Sequence, residues 1–399
     1  MKQIAAVIKT VGCRLNQAES DCLRGLLSAR GVNVLDDYRY VPDVCYVNTC
    51  AVTQSAERSS RALIRAVCRL NPKPKVVVLG CWAEKEPARA MAMCGVDEVW
   101  DNAEKLRCIE NSSPLPMRSR ALLKVQDGCD RRCGYCIVPQ LRGGPVSMPV
   151  ARVLNEFARL VSSGFAEIVL TGLNLGRYQV GDVDLADLVG KLLKLPGKFR
   201  IRLSSIEPDL FTEQLLEVIS DHKVCAHFHI PLQSGDDYLL NRMGRVYNTA
   251  QYARLLERII TCKPDACIGA DVIVGFPGED EVSFSRTQAY LNAVPLSYLH
   301  IFPYSPRPGT PAFQLGDPVP KLVKTVRVAL LRRLSQEKKN AYTFRFCGKV
   351  REAVLEPNRQ ALTDNYLRVK CSDLPIGYQA GRLIRVLIDG PQGKVVDKQ

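Results

Sequence analysis

Cys129-Asp130-Arg131-Arg132-Cys133-Gly134-Tyr135-Cys136 is the stretch around which the chain is organised. Three thiols stand at Cys-x3-Cys-x2-Cys spacing, directly after a short apolar run (Leu122, Leu123, Val125) that reads as a strand. A loop leaving a strand end can fold three thiolates around one soft metal centre. Three ligands on a four-iron cluster leave one iron open, whereas a structural zinc site takes a fourth protein ligand and stays closed. A zinc knuckle completed by a distant Cys or His is the plainer alternative, and the closed-site rule counts against it.

The rest of the chain frames that loop. A length of 399 residues exceeds a single small core and implies two or three domains. A hydrophobic fraction of 46% and a charged fraction of 24% are those of a soluble globular protein. The formal net charge of +14 points toward a polyanion such as RNA, or serves solubility alone. Met1 leads almost directly into a strand-like run, Ile4 to Ile8, so no signal peptide is visible. No apolar stretch is long enough to cross a bilayer. The expectation is a cytoplasmic protein with no membrane partner, in which sixteen cysteines read as thiols and metal ligands rather than disulfides.

Residues 1–110 alternate strand-like and helix-like patterns. Three apolar, β-branched strands stand out: Ile4–Lys9, Val44–Val47 and Val76–Leu79. Each is followed within a few residues by a cysteine, namely Cys13, Cys50 and Cys81, spaced 37 and 31 residues apart. Those intervals are about one βαβ unit each. Right-handed crossovers would bring all three thiols to the carboxyl edge of a parallel sheet, where open α/β folds place ligands. Buried structural thiol is the default reading of each one alone. The set of three points to a second iron–sulfur or zinc site. The other ten cysteines, including Cys22, Cys45, Cys68, Cys94 and Cys108, show no such phase and read as buried thiols.

Residues 111–120 are polar and proline-containing, which is linker composition. From 121 to 340 the alternation resumes, with strands expected at Leu122–Gln126, Glu167–Thr171, Phe199–Leu203, Ala226–Pro231, Ile268–Val274 and Tyr298–Phe302. Six β–α repeats predict an open or partial parallel barrel. Polar signatures follow the strand ends: Thr171–Asn174, Ser204–Pro208, Pro231–Gly235, Gly275–Glu279 and Pro303–Ser305. Turn chemistry explains any one of them. Five such loops and the cysteine loop on one rim mark a cofactor site.

Residues 321–340 form a basic helical stretch, with Leu322, Val326, Ala329, Leu330 and Leu334 as its expected buried stripe. Its charges also read as an ordinary solvated face. Residues 341–399 turn all-β, with strands expected at Phe344–Val350, Glu352–Leu355, Tyr366–Lys370 and Leu383–Ile388. That is the size of a small five-stranded nucleic-acid-binding barrel, short enough that a strand is missing or paired elsewhere. Lys349, Arg351, Arg359, Arg368 and Lys370 are its candidate phosphate contacts, and Tyr342, Tyr366 and Tyr378 its candidate base-stacking rings.

The stretch Lys124 to Pro139 resembles the radical S-adenosylmethionine motif of the methylthiotransferase family. Thr10–Gln17, Val47–Thr53 and Leu79–Cys81 resemble that family's N-terminal cluster segments, and Thr363–Val369 resembles its TRAM domain. The resemblance implies an N-terminal cluster domain (1–110), a linker (111–120), a partial (β/α)6 radical core (121–340) and a TRAM-like RNA-binding barrel (341–399). It implies two 4Fe–4S clusters, one on Cys129, Cys133 and Cys136 and one on Cys13, Cys50 and Cys81. The first would bind S-adenosylmethionine and, given an electron, cleave it to a 5′-deoxyadenosyl radical; the second would present the transferred sulfur. Gly172, Asn174, Glu207, Gln233, Asp271 and Gly275 are the implied cofactor contacts.

Within that family, Leu170–Tyr178, Arg200–Pro208 and, less specifically, His229–Gly235 look most like the branch acting on N6-threonylcarbamoyladenosine in tRNA. The implied reaction is methylthiolation at C2 of that base beside the anticodon, with tRNA, an electron donor and a sulfur source as partners. The branch acting on N6-isopentenyladenosine is the alternative, and a non-catalytic iron–sulfur RNA-binding protein the remote one. One departure stands out: Gly144, Val146 and Met148 occupy positions where the family carries arginines after Arg142-Gly143. Those residues cannot make arginine's bidentate phosphate contacts.

Overall fold

The computed structural model describes residues 3–37, 41–374 and 377–396. Its first part is a five-stranded sheet built from β1 (Ala5–Thr10), β2 (Asn33–Leu35), β3 (Val44–Thr49), β4 (Lys75–Gly80) and β5 (Glu98–Val99). The strands run parallel in the order β2-β1-β3-β4-β5. In β4, Lys-Val-Val-Val-Leu-Gly, every residue after the lysine is buried, the near-continuous apolar run that a parallel strand needs. Strands β2 and β5 span only three and two residues, too short to leave a period in the sequence. The strands that precede the three phased cysteines, β1, β3 and β4, are immediate neighbours.

Two parallel three-stranded sheets follow. The first orders Arg200–Leu203, Glu167–Thr171 and Ala121–Lys124, and the second His227–His229, Cys267–Val274 and Tyr298–Pro303. A parallel bridge between Ile201 and Val224 joins them into a six-stranded partial barrel. Its apolar residues, with Phe157, Leu188, Leu256 and Leu291 from the surrounding helices, form one continuous buried cluster. The six strands lie within two residues of the expected positions. No helix among the described residues is long and apolar enough to cross a membrane.

The helix Lys321–Phe344 corrects the expected stripe. Leu322, Val326 and Leu330 are exposed, and the buried side is Lys324, Arg327, Val328, Leu331 and Leu334. Two cations go inward because acids meet them: Asp317 pairs with Lys324, and Glu279 with Arg327 at 2.8 Å. A buried charge tolerates that position only when paired. A hydropathy pattern has no access to partners from other elements, so it selected the wrong face.

The helix also runs through Phe344, so Phe344–Val350 is not one strand. Tyr342 packs on Phe346 with ring centroids 5.0 Å apart, across one helical turn. Strands then run Val350–Glu356, Gln360–Thr363, Arg368–Lys370, Leu383–Asp389 and Gln392–Val395, and they close into a barrel. Closure comes from a single parallel contact, Lys370 with Gln392. The short tail is therefore a complete five-stranded circuit.

This small barrel plugs the amino ends of the larger barrel's strands. Glu167, the first residue of its strand, lies fully buried among guanidinium groups, 2.7 Å from Arg200 Nε and 2.6 Å from Arg202 Nε. Arg200 donates onward to the Leu362 carbonyl and Arg202 to that of Thr363. Tyr366 stacks on His227 at 3.7 Å between centroids. Burial alone would raise the Glu167 carboxyl, but Arg202 and Arg200 outweigh it and hold the pKa well below the usual range. A folded pKa depressed in this way contributes stability above the unfolded carboxylate value, about 4.3, and that stability is lost as pH falls below it. Glu167→Ala leaves the guanidiniums uncompensated, with an expected loss of about 3–5 kcal/mol. Thermal unfolding should show the loss at pH 7, and the gap between variant and wild type should narrow steadily below about pH 4.

Candidate functional site

All six candidate ligand cysteines lie at the carboxyl ends of strands. Cys13 precedes the helix Arg14–Ala29, Cys50 follows β3, and Cys81 opens a short helix after β4. Gly12 explains the tightness of this edge: it has φ +113°, and a Cβ there would stand 2.7 Å from Cys50 Cβ. Cys50 and Cys81 are buried, whereas Cys13 keeps an open face. Surrounding protein raises the Cys13 thiol, and burial pushes Cys50 up to about 12. The neighbouring Cys81 and Cys13 thiols add to that upward push on Cys50.

The second set sits on the loop after the strand Ala121–Lys124. Gln126 shapes it, donating Nε2 to the carbonyls of Asp127 (2.6 Å) and Gly128 (2.8 Å) and accepting at Oε1 from Asn174 N–H. Gly128 has φ +70°, and a Cβ would land 1.8 Å from the Gly144 carbonyl, so only glycine fits. The Cys129 N–H then bonds the Gly143 carbonyl at 3.0 Å. Burial pushes Cys136 up to about 12 and raises Cys129. Arg245 donates Nη1 to Cys133 Sγ at 3.2 Å and Nε to the Tyr247 hydroxyl, and it also pairs with Glu207.

Among the described residues, no three of these thiols fall within 4.8 Å of one another. A single tetrahedral zinc, with bonds of about 2.3 Å, would draw its sulfurs to about 3.8 Å. Three soft thiolates with no fourth protein ligand are instead the donor set of a four-iron core that keeps one iron open. Asn174 reinforces the fit: its Nδ2 lies 3.8 Å from Cys129 Sγ, and its buried Oδ1 has no partner.

Between the two thiol edges lies a cavity of about 220 Å³ with walls from both. Val52 and Thr53 come from the Cys50 loop, Tyr135 and Cys136 from the cysteine loop, and Gln233, Asp271 and Phe302 from the barrel rim. Behind it, Arg307 ties the Cys50 loop to the barrel by donating to the carbonyls of Ala51 (2.5 Å) and Val52 (3.1 Å). The Asp271 Oδ1 atom sits 3.0 Å from His229 Nε2 and 3.3 Å from His300 Nδ1. Burial alone would raise its carboxyl, but His229 and then His300 hold it well below the usual range. Gln233 sits at φ +77°, its N–H bonding the Asp271 carbonyl and its own carbonyl accepting from Ile273.

The other expected cofactor contacts lie farther back. Gly172 packs against Gln126, where a Cβ would stand 2.8 Å from Oε1. Gly275, at φ +77°, faces the Lys324 side chain and donates its N–H to Glu279. Glu207 is engaged by Arg245, and burial raises its carboxyl despite that partner.

The structure also divides the expected RNA contacts. Lys349, Arg368 and Lys370 are exposed, although Arg368 pairs with Glu356 at 2.9 Å. Arg351 is bound between Asp265 and Asp364, and Arg359 donates to the Ser372 carbonyl at 2.7 Å. Tyr342 is buried, Tyr366 is stacked on His227, and the Tyr378 hydroxyl accepts from Arg359 N–H, so all three rings are committed within the protein. Of the ten unphased cysteines, Cys94, Cys262 and Cys347 are exposed rather than buried. Gly144 and Val146 are exposed on a short hairpin, whereas Met148 packs against the barrel core.

One charge cluster locks the two thiol edges together. Glu19, fully buried, meets Arg142 Nη1 at 2.5 Å, Lys105 Nζ at 2.7 Å and Lys124 Nζ at 3.0 Å. Arg142 also donates Nη2 to Asn16 Oδ1 and Nε to Cys81 Sγ at 3.3 Å. Burial would raise the Glu19 carboxyl, but Arg142, Lys105 and Lys124 hold it well below the usual range. Sequence reading gave no role to Glu19, Gln126 or Arg245: Glu19 and Arg245 lie outside the quoted motifs, and Gln126, inside the Lys124–Pro139 stretch, acts through partners that spacing does not reveal. Glu19→Gln strands three cations around a neutral amide, and denaturant unfolding should show a loss of about 3–5 kcal/mol.

Known proteins resemble this chain along most of its length. The family model of the Radical SAM superfamily fits residues 123–291, and that of an uncharacterized protein family, UPF0004, fits residues 5–100. A threonylcarbamoyladenosine tRNA methylthiotransferase of Aquifex aeolicus is 36% identical over 95% of this chain and 99% of its own length. A Bacillus subtilis protein of the same name is 33% identical, over 95% and 96%. A tRNA-2-methylthio-N(6)-dimethylallyladenosine synthase of Endomicrobium trichonymphae is 32% identical, over 83% and 84%. Among solved structures, the radical S-adenosylmethionine methyltransferase TsrM of Kitasatospora setae shares the fold, with TM-score 0.58 and 14% identity over 78% of this chain and 77% of that one. The chain belongs to the tRNA methylthiotransferase family of radical S-adenosylmethionine enzymes.

Proposed function

We propose that the protein methylthiolates C2 of N6-threonylcarbamoyladenosine beside the anticodon of tRNA. The observation that carries this reading is a cavity lined by Cys136 of one cysteine loop and by Val52 and Thr53, which follow Cys50 on the other thiol edge. A reaction that removes a hydrogen from an unactivated carbon and puts a methylated sulfur in its place needs a hydrogen-abstracting centre and a sulfur-bearing centre within reach of one substrate atom. The names of the Aquifex and Bacillus relatives, and the Leu170–Tyr178 and Arg200–Pro208 loops, favour threonylcarbamoyladenosine.

Cys129, Cys133 and Cys136 would hold one 4Fe–4S cluster, and Cys13, Cys50 and Cys81 the other. When bound, the clusters and S-adenosylmethionine supply the one-electron chemistry, the sulfur and the methyl group that side chains lack. The protein's own residues position and polarise. Arg245 donates to the Cys133 sulfur, and Arg142 to that of Cys81. Hydrogen bonds to cluster sulfurs are among the levers that set cluster potential. Asn174 offers an unpaired carbonyl oxygen beside Cys129 for a cofactor amine. Asp271 directs a carboxylate into the cavity, held in orientation by two imidazoles. Glu207 acts through Arg245 rather than by direct contact.

On this reading Asp271→Ala should weaken S-adenosylmethionine binding about ten- to a hundredfold with iron content intact, since a buried charge-assisted contact contributes about 1.5–3 kcal/mol. Equilibrium dialysis measures it, and unchanged binding rejects that role. The function itself is tested by incubating reduced, cluster-loaded protein with S-adenosylmethionine and tRNA, then analysing nucleosides by mass spectrometry. Methylthio-threonylcarbamoyladenosine together with 5′-deoxyadenosine is the expected product pair. Methylthiolated isopentenyladenosine would instead assign the alternative branch, which the Endomicrobium relative represents. Absence of 5′-deoxyadenosine would leave a non-catalytic RNA-binding protein.

A further inference from the structure

The strand Tyr298–Pro303 ends its sheet, and the helix Lys321–Phe344 covers its outer edge, where Ser335 Oγ accepts from Leu299 N–H at 2.9 Å and donates to the Leu299 carbonyl at 3.1 Å. Strand alternation sends Tyr298, His300 and Phe302 to the same face. They form a ladder of rings: Tyr298 to His300 is 5.2 Å between centroids, and His300 to Phe302 is 6.4 Å, edge to face. His229 stacks against His300 at 5.1 Å. The lower rung is anchored by Tyr298, whose hydroxyl lies 2.9 Å from His227 Nε2. The upper rungs are open: the His300 side chain is 54% exposed, and Phe302 is 41% exposed. Their ring faces are therefore free to receive another planar group. Phe302 also lines the cavity between the two thiol edges, so whatever lies on this ladder abuts the reacting groups.

We infer that His300 and Phe302 form the stacking platform for the target purine of the substrate RNA, flipped out of its own stack into the mouth of the partial barrel at the carboxyl ends of its strands. The inference rests on the tRNA-modifying reading above and adds to it the residues that receive the base. An enzyme that does chemistry on a base atom must take that base out of its stack or act on a single strand. Rings receive any purine face, and the expense of unstacking is recovered by stacking on the protein. The C-terminal barrel's tyrosines are all engaged within the protein, so this ladder is the exposed aromatic surface that reaches the cavity. The imidazoles of His229 and His300 already share Asp271 Oδ1, which satisfies the carboxylate oxygen and fixes the ring plane of His300 without a metal ion.

Two variants at one position isolate stacking from hydrogen bonding. His300→Ala and His300→Phe both lose the bond to Asp271 and share any effect on S-adenosylmethionine binding. Only His300→Phe keeps a π face. The expected result is kcat/KM for RNA at least about tenfold higher for His300→Phe than for His300→Ala, the ratio that one base-stacking contact commands. Equal activity of the two variants, whatever its level, would overturn the platform. A readout independent of turnover uses an anticodon stem-loop RNA with 8-azidoadenosine at the target position, photolysed on cluster-loaded wild-type protein. Adducts should map to residues 298–303, and adducts confined to other segments would overturn the inference. If wild-type protein makes no methylthiolated nucleoside yet gives the 298–303 adduct, the base site stands and the assigned reaction falls.

Discussion

A single buried carboxylate, that of Glu19, holds the working parts of the molecule in register. It comes from the helix that follows Cys13, and it gathers Arg142, Lys105 and Lys124. Arg142 then spans to Cys81 and to Asp127, two residues before Cys129. One guanidinium thus touches the N-terminal thiol edge and the base of the radical-core loop. Carrying these charges out of water is expensive, and only mutual pairing makes it tolerable. The consequence is positional. The two cysteine edges cannot drift apart without exposing an unpaired charge in the protein interior.

The partial barrel is fastened at its opposite end by the same device. Glu167 gathers Arg200 and Arg202, which donate to backbone carbonyls of the small C-terminal barrel. That plug seals the amino ends of the strands, and the cavity opens at their carboxyl ends. The N-terminal sheet, the partial barrel and the small barrel, each built on its own main hydrophobic cluster, are therefore aligned by two buried carboxylates. Apolar burial stabilises each part but is not directional. The ion networks supply the direction.

Much of this was legible in the sequence, for identifiable reasons. Long β-branched runs such as Val76–Leu79 announce buried parallel strands, and the cysteines at their ends share a phase that topology converts into proximity. The Cys129–Cys136 spacing names a site without any fold. What escaped depends on partners far away in the chain. Lys324 and Arg327 face inward because of Asp317 and Glu279, so the basic helix buried a face that its hydropathy placed in solvent. Arg245 reaches Cys133 across 112 positions, and no local pattern carries that information. Arg351 and Tyr366 look like nucleic-acid contacts when read alone, yet they hold the two barrels to each other and to Asp265 and His227. Short closing strands such as Gln392–Val395 have too few residues to show a period.

The central claim is that two independent cluster sites face one cavity, and iron counting tests it most directly. Iron and sulfide content, with Mössbauer spectra, would be measured on anaerobically reconstituted wild-type protein and on a variant with Cys129, Cys133 and Cys136 all changed to alanine. About eight irons in the wild type and about four in the variant are predicted, on three thiolates per four-iron cluster. About four irons in the wild type and none in the variant would contradict the account, because Cys13, Cys50 and Cys81 would then be ordinary thiols.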